Sequence, residues 1–158
     1  KVAQGTSVFT GGKAEASQGT IWSKYFTPYA LFKTYMVYND MVATKQSIDV
    51  SEEDIEEFKE VLISGIKNYR STSKNQMPRL LVEVVYNQNY IDVELDYIHV
   101  NHKVSDLELR SIEEFSFDLE PLNRYYENKK KVIEEINIYK HPKVTLLNVH
   151  STFNQFDI

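Results

Sequence analysis

Residues 51–86 read SEEDIEEFKEVLISGIKNYRSTSKNQMPRLLVEVVY, and this stretch decides the fold because it joins one amphipathic helix to one apolar strand. Ser51 and Asp54 form a Ser-x-x-Asp capping pattern, and the acidic first turn suits the positive end of a helix dipole. An apolar stripe at helical spacing follows: Ile55, Phe58, Leu62, Ile66 and Tyr69. Residues 79–86 are apolar on both faces apart from Glu83, which predicts a strand in the centre of a sheet.

Five further elements are predicted around this unit from apolar periodicity and turn residues. They are a strand at 25–38, a strand at 90–97 that forms a hairpin with 79–86, a short strand at 115–117, a helix that Pro121 opens and His141-Pro142 ends, and a strand at 144–149. The resulting order, strand-helix-strand-strand-helix-strand, is typical of an α+β, ferredoxin-like fold, the frame of the RNA-recognition motif. We expect one domain or domain fragment, with residues 1–24 as a flexible glycine-rich arm, 25–150 as the core and 151–158 as a tail.

The composition excludes several classes of protein. The chain has 158 residues, a net charge of −5 and no cysteine, which excludes disulfide scaffolds and thiolate metal sites. No apolar run approaches the roughly 18 residues that span a bilayer, so we expect a cytoplasmic protein that does not bind membranes.

Charge is strongly segregated along the chain. Residues 67–82 carry four basic groups and no acid, whereas residues 83–120 carry ten acids against two basic groups. The connector between the predicted helix and strand also contains Ser, Asn and Gln, which bind phosphates alongside Lys and Arg. The connector is therefore either a phosphate-binding surface or a solvated loop whose cations complement the helix C-terminus.

Other candidate constellations are weaker. His99 and His102 lie three residues apart, but no His-Glu-x-x-His pattern accompanies them, so we expect no catalytic site, metal or cofactor. The acids Asp92, Glu94 and Asp96 alternate along the predicted strand at 90–97, as the outer face of a sheet or a partner surface would. Gly11-Gly12-Lys13 lacks the Ser or Thr of a phosphate-binding loop.

Three segments in order carry a family resemblance. They are Thr6-Ser-Val-Phe9 leading into Gln18-Gly-Thr20, the stretch YFTPYAL at 25–31, and SEEDI at 51–55 followed by RSTSKNQMPRLL at 70–81. Together they resemble the backbone subunit of type I CRISPR surveillance (Cascade) complexes, the Cas-seven family of the RAMP superfamily, nearest its Csh and Csd branches. The resemblance covers about residues 6–86, and residues 100–158 add no motif to it.

The resemblance implies an RNA-recognition-like core whose copies line up head to tail along a CRISPR RNA and present the guide to target DNA, together with other Cascade subunits. It implies no nuclease activity. The chain is about half as long as the family protein and resembles its C-terminal half, so we expect an incomplete core and a fragment. The RNA-binding residues that this comparison and the basic connector indicate are Lys24, Tyr25, Lys67, Arg70, Ser71, Ser73, Lys74, Gln76 and Arg79.

Two alternatives stay open at this point. One is a RAMP-type endoribonuclease that processes CRISPR transcripts with His99 or His141 as acid or base. The other is a protein-interaction domain that uses the acidic face of 90–97.

Overall fold

The computed structural model describes residues 2–7, 20–25, 29–71, 74–87, 90, 92 and 95–158; for 2–7, 20–25, 70–71 and 74 it describes only the backbone. The strands are β1 (Val2–Ser7), β2 (Thr20–Tyr25), β3 (Arg70–Ser71), β4 (Lys74–Asn75), β5 (Leu80–Tyr86), β6 (His99–His102), β7 (Phe115–Asp118), β8 (Ile133–Lys140), β9 (Leu146–Leu147) and β10 (Asn154–Asp157). The helices are α1 (Asp40–Lys45), α2 (Glu52–Asn68) and α3 (Glu120–Lys129), with a 3₁₀ turn at Ile112–Glu114.

Two three-stranded sheets organise the described residues. The first has the order β10-β8-β5, with β5 antiparallel and β10 parallel to β8. The second has the order β6-β7-β9, with β6 antiparallel and β9 parallel to β7. Two antiparallel ribbons, β1–β2 and β3–β4, complete the architecture.

The core lies between α3 and one face of the first sheet. Its buried members are Leu119, Leu122, Tyr125, Ile133, Ile136, Ile138 and Phe153. A second cluster gathers around β7 and includes Phe115 and Phe117, and Leu80, Ile98 and Leu146 pack against both clusters. The two sheets therefore share one apolar interior, which confirms the α+β class and is consistent with a ferredoxin-like core.

Helix α2 confirms the prediction made from its capping pattern. The Ser51 side chain accepts a hydrogen bond from the Asp54 N–H (3.1 Å), and the Asp54 carboxylate accepts one from the Ser51 N–H (2.8 Å). Residues alternate between the two faces of β5, and Leu80, Val82 and Val84 pack against the core. Glu83 therefore points to the opposite face, where it contacts Lys59 of α2.

The strand predicted at 25–38 is wrong. β2 ends at Tyr25, residues 26–28 lie outside the described part, and residues 29–39 form no strand before α1 begins at Asp40. Tyr29 packs near Phe115, with 6.1 Å between ring centroids, but Phe32 is 80% exposed. Aromatic and β-branched residues favour strands only where a neighbouring strand gives them a pleated surface, and 29–39 has none among the described residues.

The second predicted helix is correct only in its first half. α3 ends at Lys129, and residues 133–140 form β8 instead. An irregularity in the β5–β8 register pairs Val85 with Glu135 but Tyr86 with Ile133, so Ile133 and Ile136 are both buried although three residues apart. Buried residues of a strand normally lie two apart, but the extra residue of this β-bulge makes the spacing three. A spacing of three is also typical of the apolar face of a helix.

The predicted hairpin of 79–86 with 90–97 is also wrong. β5 pairs with β8, and residues 90, 92 and 95–97 are not in strands. Among the residues that the structure describes, β5 is therefore the end strand of its sheet, not its centre. β8 matches both faces of β5: Ile136 and Ile138 are buried in the core, against which Val82 and Val84 pack, and Asn137 donates to Glu83 on the other face.

The remaining predicted elements are partly confirmed. The short strand at 115–117 is β7, whereas only Leu146 and Leu147 of the strand at 144–149 form a strand. The residues assigned to a tail form β10 in the first sheet. The ends of the predicted arm pair as the β1–β2 hairpin; residues 1 and 8–19 lie outside the described part, and the arm's flexibility stays a prediction.

Candidate nucleic-acid interface

The basic connector begins where α2 ends. The Tyr69 N–H caps the helix by donating to the Gly65 carbonyl (2.9 Å). The chain then forms the ribbon β3–β4, in which Arg70 pairs with Asn75 and Ser71 with Lys74.

Five basic side chains converge at the end of the first sheet where β5 begins and β8 ends. The register pairs Leu80 with Lys140, and the His141 N–H donates to the Arg79 carbonyl (3.0 Å). The members of this basic cluster are Lys67, Arg79, Lys140, His141 and Lys143. They come from α2, from the residue before β5, and from the end of β8 and the loop after it.

The imidazole of His141 reports the positive potential of the cluster. Burial lowers its pKa below the usual value, and the charges of Arg79, Lys143, Lys67 and Lys140 lower it further. The Lys143 N–H also donates to the His141 Nδ1 (3.2 Å), an acceptor role that requires an unprotonated Nδ1. Burial and the four other cations of the cluster thus both favour the neutral form of His141.

The cluster retains most of its charge. Lys140 Nζ lies 3.1 Å from the Asp157 Oδ1, which offsets one cation. Within the described part of the chain, no carboxylate oxygen lies within 4.0 Å of the basic nitrogens of Lys67, Arg79 or Lys143. Such an excess of cations at one surface binds polyanions by releasing their counterions.

The structure brings together only part of the predicted set. Lys67 and Arg79 lie in the basic cluster, and Gln76 is exposed between β4 and β5. Lys24 and Tyr25 lie in β2, opposite Ala3 and Val2. The side chains of five predicted residues lie outside the described part, as does the whole of Ser73: Lys24, Tyr25, Arg70, Ser71 and Lys74.

Sequence reasoning misses Lys140 and Lys143, and it singles out His141 only as a candidate acid or base of a nuclease. The signal is present as the run Lys140-His-Pro-Lys143, whose His-Pro pair the sequence pattern interprets as the end of a helix. Because β8 is antiparallel to β5, its last residues return to the position where β5 starts, and this pairing places the run beside Arg79.

The histidines and the acids of 90–97, the other candidates from the sequence, do not come together as common binding sites among the described residues. His102 Nδ1 lies 3.4 Å from Asp106 Oδ1, while His150 contacts Thr152 and Glu127. The acids of 90–97 separate: Asp92 accepts from the Tyr97 hydroxyl (2.7 Å), Asp96 pairs with Lys33, and Glu94 lies outside the described residues.

Neither a metal centre nor a membrane span is found in the part of the chain that the structure describes. Its residues contain no group of three His, Cys, Asp or Glu side chains arranged to hold a metal ion. None of its helices combines the length and the apolar character needed to cross a bilayer.

Comparison with known proteins identifies the family. The family model of CRISPR-associated protein Cas7 matches residues 1–120, about three quarters of the chain. No curated protein matches the sequence significantly. The match includes α2, the basic connector and β5, the elements that position Lys67 and Arg79. The chain therefore belongs to the CRISPR-associated protein Cas7 family.

Proposed function

We propose that this chain is a non-catalytic backbone subunit of a type I CRISPR surveillance complex, of the Csh or Csd kind, and that it binds the CRISPR RNA through the basic cluster. The observation that carries the proposal is the convergence of Lys67, Arg79, Lys140 and Lys143 on one end of a sheet in a protein whose net charge is −5. Membership of the Cas7 family supports a role beside a guide RNA.

The mechanism is electrostatic. Lys and Arg neutralise phosphates without reading sequence, so every guide is bound alike and its base edges stay open for pairing with target DNA. Copies of the chain would line up head to tail along the RNA and contact other subunits of the complex. Head-to-tail packing requires two different surfaces, and the segregation of charge along the sequence, with ten acids against two basic groups in residues 83–120, supports such an arrangement.

The decisive experiment measures RNA affinity against salt. The variant Lys67→Ala/Arg79→Ala/Lys143→Ala should bind single-stranded RNAs of unrelated sequence more weakly, and by the same factor for each. The slope of log K against log salt should fall by about 0.7 for each phosphate of a single strand that the variant no longer neutralises. Lys45→Ala/Lys103→Ala/Lys131→Ala, which removes three cations outside the cluster, is the matched control. Equal affinity and slope in parent and cluster variant would exclude the cluster as the RNA site.

A second candidate, a RAMP-type endoribonuclease, is favoured by one observation. Burial and neighbouring cations lower the pKa of His141, which favours the neutral imidazole that a general base near phosphates needs. The Nδ1 of His141 accepts a hydrogen bond from the Lys143 N–H, so the ring proton lies on Nε2. In this tautomer Nε2 can donate a hydrogen bond but cannot accept one.

Incubation of the pure protein with a CRISPR repeat RNA separates the two functions. We expect intact RNA from the parent chain and from His141→Ala, and RNA binding by both. Cleavage by the parent that disappears in His141→Ala or His99→Ala would establish the nuclease instead.

A further inference from the structure

Two aromatic rings lie exposed beside the basic cluster. Phe156 on β10 is 46% exposed and Tyr69, the residue that ends α2, is 64% exposed. Exposed aromatic rings next to cations are the two components of single-stranded nucleic-acid sites, because bases stack on rings while phosphates meet Lys and Arg.

Phe156 is held in a fixed orientation. Its ring stacks on Tyr139, with centroids 4.9 Å apart and an angle of 21° between planes. The Tyr139 hydroxyl lies 3.4 Å from Lys59 Nζ, and Lys59 Nζ lies 5.6 Å from the centre of the Tyr139 ring. Tyr139 thus covers one face of Phe156, and 46% of the surface of Phe156 remains exposed.

The register places Phe156 next to the cluster. Phe156 pairs with Tyr139, and the next pair along the ladder is Asp157 with Lys140. Side chains alternate along a strand, so Lys140 projects from the face opposite to Tyr139, whereas His141, whose N–H donates to the Arg79 carbonyl, lies two residues after Tyr139 and on the same face. Phe156 and α2 occupy the same face of the sheet, because Tyr139 and Glu83 both contact Lys59.

Tyr69 is the second exposed ring. It stands two residues after Lys67 of the basic cluster and directly before the ribbon β3–β4. Because 64% of its surface is exposed, Tyr69 is accessible to a ligand that is bound at Lys67.

We propose that Phe156 and Tyr69 stack on unpaired bases of the RNA whose phosphates the basic cluster binds. This inference rests on the proposed function and adds to it the groups that contact bases. A ring accepts any base, so the stacking adds affinity without a sequence preference.

Binding of the 158-residue chain to three probes tests this: oligouridine RNA, the same RNA with abasic positions, and inorganic polyphosphate. Phe156→Leu and Tyr69→Leu should each weaken oligouridine binding about 5- to 100-fold, the range for loss of one stacked base. Neither variant should change polyphosphate affinity or the salt slope, because no cation is removed. The effect should shrink on the abasic RNA.

Phe32→Leu is the matched control, since Phe32 is 80% exposed and its neighbour Leu31 packs against the second apolar cluster around β7. It should bind all three probes as the parent does. Unchanged oligouridine affinity in Phe156→Leu and Tyr69→Leu would overturn the stacking role. An equal loss of affinity for oligouridine and for polyphosphate would overturn it too. Both outcomes leave the proposed function intact. If the parent binds neither RNA nor polyphosphate at low salt, the proposed function fails as well.

Discussion

Lys59 is the residue on which the contact between α2 and the first sheet depends. Its Nζ lies 2.9 and 3.0 Å from the two carboxylate oxygens of Glu83 and 2.6 Å from Glu56 Oε1. Asn137 donates to Glu83 (3.0 Å) and accepts from Asn154 (2.8 Å), which extends the network across all three strands. Desolvation lowers the pKa of Lys59, but the bonds to Glu56, Glu83 and Tyr139 together raise it above its usual value.

We expect Lys59→Met to lower the free energy of unfolding by about 3 kcal/mol, because it leaves the carboxylate of Glu83 without its cation in a largely buried position. Lys59→Met/Glu83→Gln should recover part of the loss, since the neutral amide tolerates burial better. Urea unfolding followed by circular dichroism measures both changes. Lys67→Met, an exposed lysine of the same helix, is the control; an equal loss there would contradict the assignment.

His141 gives the protein a defined pH response. Because its pKa is lowered in the folded chain, the unfolded chain binds a proton at higher pH, and the free energy of unfolding falls as the pH drops through about 6.5. Removing a neighbouring cation should raise the pKa of His141 towards its usual value.

Nuclear magnetic resonance titration of the imidazole measures this effect directly. Arg79→Ala should move the His141 midpoint to higher pH, and Lys45→Ala, on the remote helix α1, should leave it unchanged. If Arg79→Ala leaves the titration midpoint of His141 unchanged, the guanidinium of Arg79 does not face the imidazole.

At the scale of elements, α2 contains a replaceable glycine. An interior Gly suggests close packing on a neighbour, but a Cβ built at Gly65 meets no atom within 4 Å in the described structure. Gly65→Ala should therefore raise the free energy of unfolding by up to about 1 kcal/mol, through helix propensity alone. Ser64→Gly at the adjacent exposed position should lower it by about half as much.

Thermal unfolding of the two variants checks the sign of each change. Destabilisation by Gly65→Ala would show that a surface outside the described residues, or a second copy of the chain, covers that side of α2.

At the scale of the whole molecule, two features favour self-association. β5 is an end strand whose second edge is unpaired among the described residues, and unpaired edges add strands from other chains. The segment 32–42 is rich in exposed apolar side chains: Phe32, Tyr35, Met36, Val37, Tyr38, Met41 and Val42. Apolar patches of this kind mark association surfaces.

We expect the chain to associate at micromolar concentration in sedimentation experiments. Val85→Lys should reduce association if the edge of β5 mediates it, and Phe32→Ser/Met36→Ser should reduce it if the apolar segment does. Phe32 and Met36 are exposed, so their substitution should cost little stability, whereas Val85 is half-buried in β5 and its substitution should cost more. A monomeric parent would contradict the prediction.

The elements that the sequence determined by itself are those whose cause is local. The capping residues Ser51 and Asp54 and the stripe behind them specify α2, and the apolar run at 80–86 specifies β5, because caps and periodicity act within a few residues. The sequence likewise determined that Lys67 and Arg79 are basic residues in an acid-free connector.

Only the tertiary structure decided the rest. A bulge gave β8 the spacing of a helix, and residues 29–39 form no strand in spite of their composition, because a strand depends on the partner that long-range pairing supplies. The basic cluster is long-range in the same sense: Lys140, His141 and Lys143 reach Arg79 only because β8 returns antiparallel to β5. The sequence shows which residues are charged, and the pairing of strands decides which of them lie close together.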